Sequence, residues 1–420
     1  MDKAPFVHED VRMSGEVDRS KGGDGGRPRR ILFVDDEAAV LTLLQAICRR
    51  IGPDWDVAFA DGGRKALEMM EEGPFDVVVS DMRMPDMNGV ELLMEVMQKY
   101  PSTARIILSG YADQQLVLRS LGATHQYLSK PCDVSLLKST IHRIFALDRF
   151  LRSDRLKVVL GKIQRLPTLP ALYFQLMREL ASPNASAESV ADLIRKDVSL
   201  TAKILQLVNS AFFGVAHTVE DVRDAVQILG FSTVRTLSLS IYVFSRFDPA
   251  TMPGFPMDRL WNHSMATGLL ARRIAAREWG NLGIVEAAFT GGILHDIGKL
   301  VLAYSLPELF QRAVDLARER RIGLWRAENE VIGGNHAEVG AYLLGLWGLP
   351  ATIVESVAWH HHPQMREPLE FSPLTAVHMA NFVQARKVPV FGDGLMEEID
   401  QDYMRSLKLG STISMWEQEP

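Results

Sequence analysis

Five side chains in the first third of the chain are of the types that hold and read a phosphoryl group. They are the adjacent acids Asp35 and Asp36, the acid Asp81, the hydroxyl of Ser109 and the amine of Lys130. Each stands at or just beyond the end of a short apolar run: 31–34, 76–79, 105–108 and 126–128. Three carboxylates gathered in one place repel one another and raise each other's pKa unless a cation sits among them. Oxygen-only ligands suit a hard divalent ion, and Mg2+ commonly joins a few carboxylates to phosphate oxygens. On this reading Asp81 takes up the phosphoryl group. Asp35, Asp36 and Asp81 hold Mg2+ with the backbone carbonyl of Arg83, and Ser109 and Lys130 hold phosphoryl oxygens.

A second constellation lies in the C-terminal half. His263 sits in a helical stretch at 261–264, His295 and Asp296 lie in the run 291–299, His336 opens another helix, and His360, His361 and His362 end one before Pro363. Imidazoles with a carboxylate on several helices are ligands for Zn, Mn, Fe or Ni, unlike the oxygen-only site upstream. A metal there could activate water against a phosphoester, with Lys299 offsetting developing negative charge. His217 and His378 read as structural histidines.

The elements that must position these groups follow from apolar periodicity. Unalternating apolar runs of strand length at 31–34, 57–59, 76–79, 105–108 and 126–128 are separated by amphipathic stretches at 37–51, 63–72, 88–99, 112–121 and 133–149. Strands buried on both faces and alternating with helices predict a doubly wound, five-stranded parallel sheet. Ligands bind such sheets at the carboxyl ends of the strands, where the five residues should converge. From about residue 166 the pattern is helical almost throughout, over 171–181, 187–196, 200–209, 220–229, 231–246, 258–278, 284–304, 306–320, 335–347, 351–361 and 371–386. Ser186 reads as a helix cap, Gly214 and Gly230 as helix ends, and Leu193, Ile194, Leu200, Ile204, Leu205, Leu207 and Val208 as core. The fold class is therefore α/β followed by an all-α bundle.

The runs 34–37, 80–89, 108–110 and 129–131 resemble the receiver domain of two-component response regulators over about 120 residues. The resemblance implies a flavodoxin-like fold in which Asp81 accepts phosphate from a sensor histidine kinase or a phosphotransfer protein. It also implies Mg2+ at Asp35 and Asp36, phosphoryl reading by Ser109 and Lys130, Tyr127 as an aromatic switch residue, and a cis Lys130–Pro131 bond. The runs 166–170, 197–201, 209–210 and 225–230, with the histidines, resemble the HDOD domain, an output module related to the HD phosphohydrolases. That implies His263, His295, Asp296, His336, His360, His361 and Asn381 at metal-ligand positions and Lys299 as a candidate catalytic group. Two departures stand out: position 381 is Asn where catalytic HD proteins carry Asp, and no Gly-Tyr-Pro motif follows His362. A vestigial site, metal binding without turnover, and hydrolysis of a nucleotide or cyclic dinucleotide all stay open.

The boundaries read as a disordered tail at 1–28, a receiver domain at 29–149, a helical linker at 150–165, an HDOD domain at 166–386 and a C-terminal helix and tail at 387–420. Arg27, Arg29 and Arg30 read as a solvated edge before the first strand. The formal charge of −6 gives no support to nucleic-acid binding, and no basic recognition helix emerges, so direct DNA binding is not expected. Two cysteines, Cys48 and Cys132, fit a reducing compartment. No signal peptide or apolar run of membrane-spanning length is read, so a cytoplasmic address without membrane contact is expected. The expected function is a phosphorylation-switched regulator that dimerises or contacts downstream signalling proteins. A phosphorylation-regulated phosphohydrolase and a transcription factor are the other classes.

Overall fold

The computed structural model describes residues 29–51, 55–100, 102–109, 124–130, 133–150, 156, 170–215, 217–387, 389–392, 397–410 and 412–418. The tail, the helix expected at 112–121, Pro131, Cys132 and most of the linker fall outside them, as do the side chains of Ser109 and Tyr127.

The N-terminal unit runs β1 (Arg29–Val34), α1 (Ala38–Ile51), β2 (Trp55–Ala60), α2 (Gly63–Glu71), β3 (Val77–Asp81), α3 (Gly89–Lys99), β4 (Ala104–Ser109), β5 (Gln126–Ser129) and α4 (Val134–Ala146). All strands pair in parallel, in the order β2-β1-β3-β4-β5. Alternate residues serve opposite faces. Leu32, Val34, Val78 and Ile107 pack on one side, while Ile31, Phe33, Val77, Val79 and Ile106 pack on the other. Each such side chain buried is worth about 1.5–3 kcal/mol, which is why the strands read as unbroken apolar runs. Cys48 is a buried free thiol that burial pushes up to about 11, which leaves it unreactive.

The C-terminal unit is helical: α5 (Ala171–Leu180), α6 (Ala187–Arg195), α7 (Val198–Val208), α8 (Val222–Phe244), α9 (Met257–Glu278), α10 (Leu282–Leu294), α11 (Ile297–Ser305), α12 (Pro307–Arg320), α13 (Leu324–Val331), α14 (His336–Leu346), α15 (Ala351–Ala358), α16 (Pro373–Lys387), α17 (Gln401–Ser406) and α18 (Ile413–Gln418). Ser186 and Ser189 form a reciprocal cap on α6, and Asp197 caps α7.

As read, the helices expected at 220–229 and 231–246 meet at Gly230, which leaves helical geometry at φ 76°, ψ 158° and divides α8 into two segments across a kink. Three departures from the periodicity reading have physical causes. The helix expected over 284–304 is two helices, broken at His295–Asp296, where Asp296 leaves helical geometry at φ −98°, ψ 7°. Helix α13 went unread because only eight residues separate the turns around it. Finally, the stretch Val222–Thr251 has the length and hydropathy of a membrane span, contrary to the sequence reading, but 67% of that window is buried inside the fold. Its apolar residues serve a core.

The two units share a packed boundary. The sheet face bearing Ile31 and Phe33 continues through Leu137, Ile141, Leu147 and Phe150 into the helical core. Gln126 on β5 donates from Nε2 to the carbonyl of Leu346 at 2.9 Å and accepts from Arg143 on α4 at 3.0 Å. Leu147 lies on Gly345, where a Cβ would come within 2.0 Å of it, and the Phe150 ring packs on Trp359 at 5.4 Å.

Candidate functional site

The carboxyl ends of the strands form an acidic cleft. Asp35 leaves β1 almost fully buried, Asp81 ends β3 buried beside it, and Asp36 is exposed at the rim. Lys130, just past β5, bonds Asp35 Oδ2 at 3.0 Å and lies against Asp81 Oδ1. Burial alone would lower the Lys130 pKa, but the two carboxylates overcome it and raise it, so the ammonium stays charged. The second oxygens are also held: Asp35 Oδ1 accepts from Glu37 N at 3.0 Å, and Asp81 Oδ2 from Arg83 N at 3.0 Å. Asp81 pairs in register with Leu108, and Ser109 with Ser129, so the backbone brings these ends level. Gly89 is required here, since a Cβ would stand 2.0 Å from the Asp81 carbonyl oxygen. Asn88 then caps α3 in a reciprocal pair with Glu91. Oxygen donors from Asp35, Asp36 and Asp81, near the Arg83 backbone, are the donor chemistry of Mg2+.

The helical unit gathers the histidines into one buried cluster around Asp296. Its Oδ2 faces His295 Nε2 at 3.3 Å and His263 Nε2 at 3.8 Å, and its Oδ1 faces His336 Nε2 at 3.3 Å and His360 Nε2 at 3.9 Å. Two donor trios result: His263, His295 and Asp296, and His336, His360 and His361. The helix break at His295–Asp296 turns both side chains inward. The approach of α11 to α14 depends on Gly298, where a Cβ would sit 1.9 Å from the His336 carbonyl oxygen. Asn381, from α16, places Oδ1 3.0 Å from His263 Nε2. Lys299 bonds Asp296 Oδ2 at 2.6 Å.

Ring orientation shows what the cluster is built for. A histidine ligand that presents Nε2 keeps its proton on Nδ1 and gives it to an acceptor. His295 donates from Nδ1 to Gly292 O at 2.7 Å, and His360 to Val357 O at 2.7 Å. Both leave a buried Nε2 with no hydrogen-bond partner, and Asp296 Oδ1 also lacks one. Orphaned buried acceptors converging on one carboxylate are costly unless a cation joins them. The donor set therefore fits a transition metal.

Electrostatics agree with geometry. Burial and the neighbouring His295 push His263 down to about 3, and burial with the adjacent imidazoles holds His360 and His361 well below the usual range. Neutral imidazoles are the ligand form. His336 differs: burial lowers it, but Glu328 and then Asp296 overcome burial and lift it to about 9. Glu328 accepts from His336 Nδ1 at 2.6 Å and from its backbone N–H at 2.9 Å. His378 is structural, bridging the His360 carbonyl and Asp400 N, and His217 is exposed.

Sequence reasoning missed Glu328 and Glu397. Glu328 was legible as an acid on the apolar face of α13, one turn from Leu324 and beside Ala327. Glu397 carries no such signal; it reaches His361 Nδ1 at 3.4 Å from irregular chain beyond α16.

Comparison with known proteins agrees with both domains. A response regulator receiver domain matches residues 31–142, and an HDOD domain matches 166–363. Chemotaxis protein CheY of Thermotoga maritima is 30% identical over 118 residues, which cover 28% of this chain and 97% of that protein. The chain is a response regulator with an HDOD domain. This response regulator is also 28% identical over 227 residues to an uncharacterized protein of Treponema pallidum, covering 53% of this chain. It spans 43% of that relative, less than half its length. The crystal structure of an HDOD domain protein of unknown function from Geobacter sulfurreducens matches at a TM-score of 0.50 and 24% identity. That match covers 66% of this chain and 89% of the other, and shows the shared fold.

Proposed function

We propose that Asp81 is the phosphoryl acceptor of this response regulator and that its state is passed to the histidine cluster through α14. The phosphoryl group comes from a histidine kinase or phosphotransfer protein, and the carboxylate oxygen of Asp81 attacks phosphorus as the donor nitrogen leaves. Asp35, Asp36, Asp81 and the Arg83 carbonyl would hold Mg2+, whose charge would offset that of the phosphoryl group. Lys130 already bridges Asp35 and Asp81 and stays with the phosphoryl oxygens, beside Ser109. The observation that carries the reading is the double attachment of α14. Its last turn takes a hydrogen bond from Gln126 on β5, four residues from Lys130, and its first residue is His336. A rigid helix of 11 residues, roughly 16 Å long, spans the two sites. A change at the strand ends therefore bears on one of the ligand histidines, and Phe150 on Trp359 bears on the neighbours of two more.

Within the HDOD domain, the unpaired Nε2 atoms support metal binding. The chemistry such an ion would supply is water activation. Access argues for a regulatory role over turnover. The cavity touching His263, Lys299 and Glu397 is about 30 Å3, room for a water and too small for a nucleotide. A cavity of about 870 Å3 shares Val390 and Phe391 with it as lining residues. The output is then a change in what the helical surface contacts, a second copy or a downstream protein.

Hydrogen exchange with beryllofluoride and Mg2+ tests the reading. Amides of α14 should change protection in wild type and not in Asp81→Asn. Identical exchange in both sinks the route through α14. Light scattering in the same samples tests the dimer version, which an unchanged mass removes.

A further inference from the structure

We propose that Glu397 is a positioning residue of the histidine cluster. It holds His361 toward the metal and supplies the negative charge that Asn381 does not bring. The inference rests on the metal-binding reading of the cluster.

The first observation is a hydrogen-bond inventory. Three of the cluster's histidines present Nε2 inward and anchor Nδ1 on an acceptor: Gly292 O for His295, Val357 O for His360, and Glu328 for His336. His361 also turns Nε2 inward, 3.0 Å from His336 Nε2. Its Nδ1 faces Glu397 Oε2 at 3.4 Å. Two imidazole nitrogens at such a separation are placed as neighbouring ligands of one ion, and a carboxylate behind each ring fixes tautomer and orientation. Glu328 does this for His336 through a 2.6 Å hydrogen bond, and Glu397 faces the Nδ1 side of His361 at the longer 3.4 Å, close enough to pair with it.

The second observation is charge. Lys299 is a buried ammonium beside Asp296, and a divalent ion would add two more positive charges. Among the described residues, Asp296, Glu328 and Glu397 are the carboxylates against the cluster's histidines and Lys299, and together they balance one ammonium and one divalent ion. Without Glu397 a net positive charge is left among buried side chains, which is costly. Asn381 coordinates through Oδ1 but leaves this balance unchanged.

The third observation is that the chain just after Glu397 is held in place. Glu398 pairs with Arg326, and Asp400 N donates to His378 Nε2 at 3.0 Å while its side chain caps α17. Glu397, Glu398 and Asp400 lie beyond the segment matched as HDOD, which ends at 363.

The test is calorimetric titration of Mn2+ into the full-length, chelator-stripped protein, with thermal melting of every variant. Wild type should bind Mn2+. Glu397→Gln should weaken binding by about 10–100-fold, the usual cost of losing a carboxylate behind a histidine ligand. Glu397→Asp should recover part of it, and Asn381→Asp combined with Glu397→Gln should recover more. If Glu397→Gln folds and binds as wild type does, the proposal falls while the metal reading stands. If wild type takes up no Mn2+, both fall. Should Glu397→Gln melt far below wild type, the double variant decides: folded without recovered binding, it overturns the charge role.

Discussion

Gly298→Ala is the sharpest single perturbation of the histidine cluster. A Cβ at 298 would lie 1.9 Å from the His336 carbonyl oxygen and 2.9 Å from Gly340 N, both backbone atoms that cannot swing aside. The nearer contact is about 1.5 Å short of ordinary van der Waals separation, so α11 and α14 must part by a comparable distance. Asp296 and Lys299 belong to the α11 side and His336 to α14. Their 3.3 Å approach then opens to almost 5 Å, too far for two ligands of one ion, each bound at about 2.1 Å. Overpacking of this kind costs about 1–3 kcal/mol. For a unit of about 200 residues that is a fall in Tm of roughly 2–12 °C. Mn2+ affinity should fall by at least about 100-fold, beyond the loss of an outer-shell partner. The assay is melting and Mn2+ titration of the full chain. A variant with wild-type melting and wild-type Mn2+ affinity would refute the claim that this glycine sets the cluster's geometry.

Two further outcomes follow from the same structure. Metal-free protein should be most stable near pH 6.5. His263 and His378, held down to about 3 and about 4, contribute stability present above the unfolded value of about 6.5 and lost as pH falls toward their folded values. His336, lifted to about 9, contributes stability present below about 6.5 and lost as pH rises through 9. Urea melts across pH 4–10 check this, and a flat profile on the alkaline side would remove the Glu328–His336 pairing. Gln126→Leu removes a donor to Leu346 O in a buried boundary, which should cost about 1–3 kcal/mol and speed proteolysis between the units. Unchanged cleavage would show that this bond does not hold them together.

Much of the receiver was legible because its chemistry is tied to strand ends. Unalternating apolar runs specify a buried parallel sheet, and polar residues placed after them must meet at its carboxyl edge. Asp35, Asp81 and Lys130 could therefore be grouped before any coordinates, and the residues between them were spacing. The helical unit allowed less. Periodicity located most helices, yet it ran straight through His295–Asp296 and missed α13, since a break of two residues barely disturbs a 3.6-residue repeat.

What the amino-acid order determined by itself was the inventory: one acidic strand-end set, one scattered histidine set, and an amide at 381 where a carboxylate was looked for. Only tertiary structure decided which atoms of the second set face one another. Ring orientation depends on acceptors such as Gly292 O, Val357 O and Glu328, which carry no sequence signature. The carboxylate absent at 381 is met by Glu397, far along the chain and on no periodic element. The link between the two sites is likewise a packing fact. It rests on Gln126 reaching Leu346 across 220 residues of sequence, a separation no local pattern can encode.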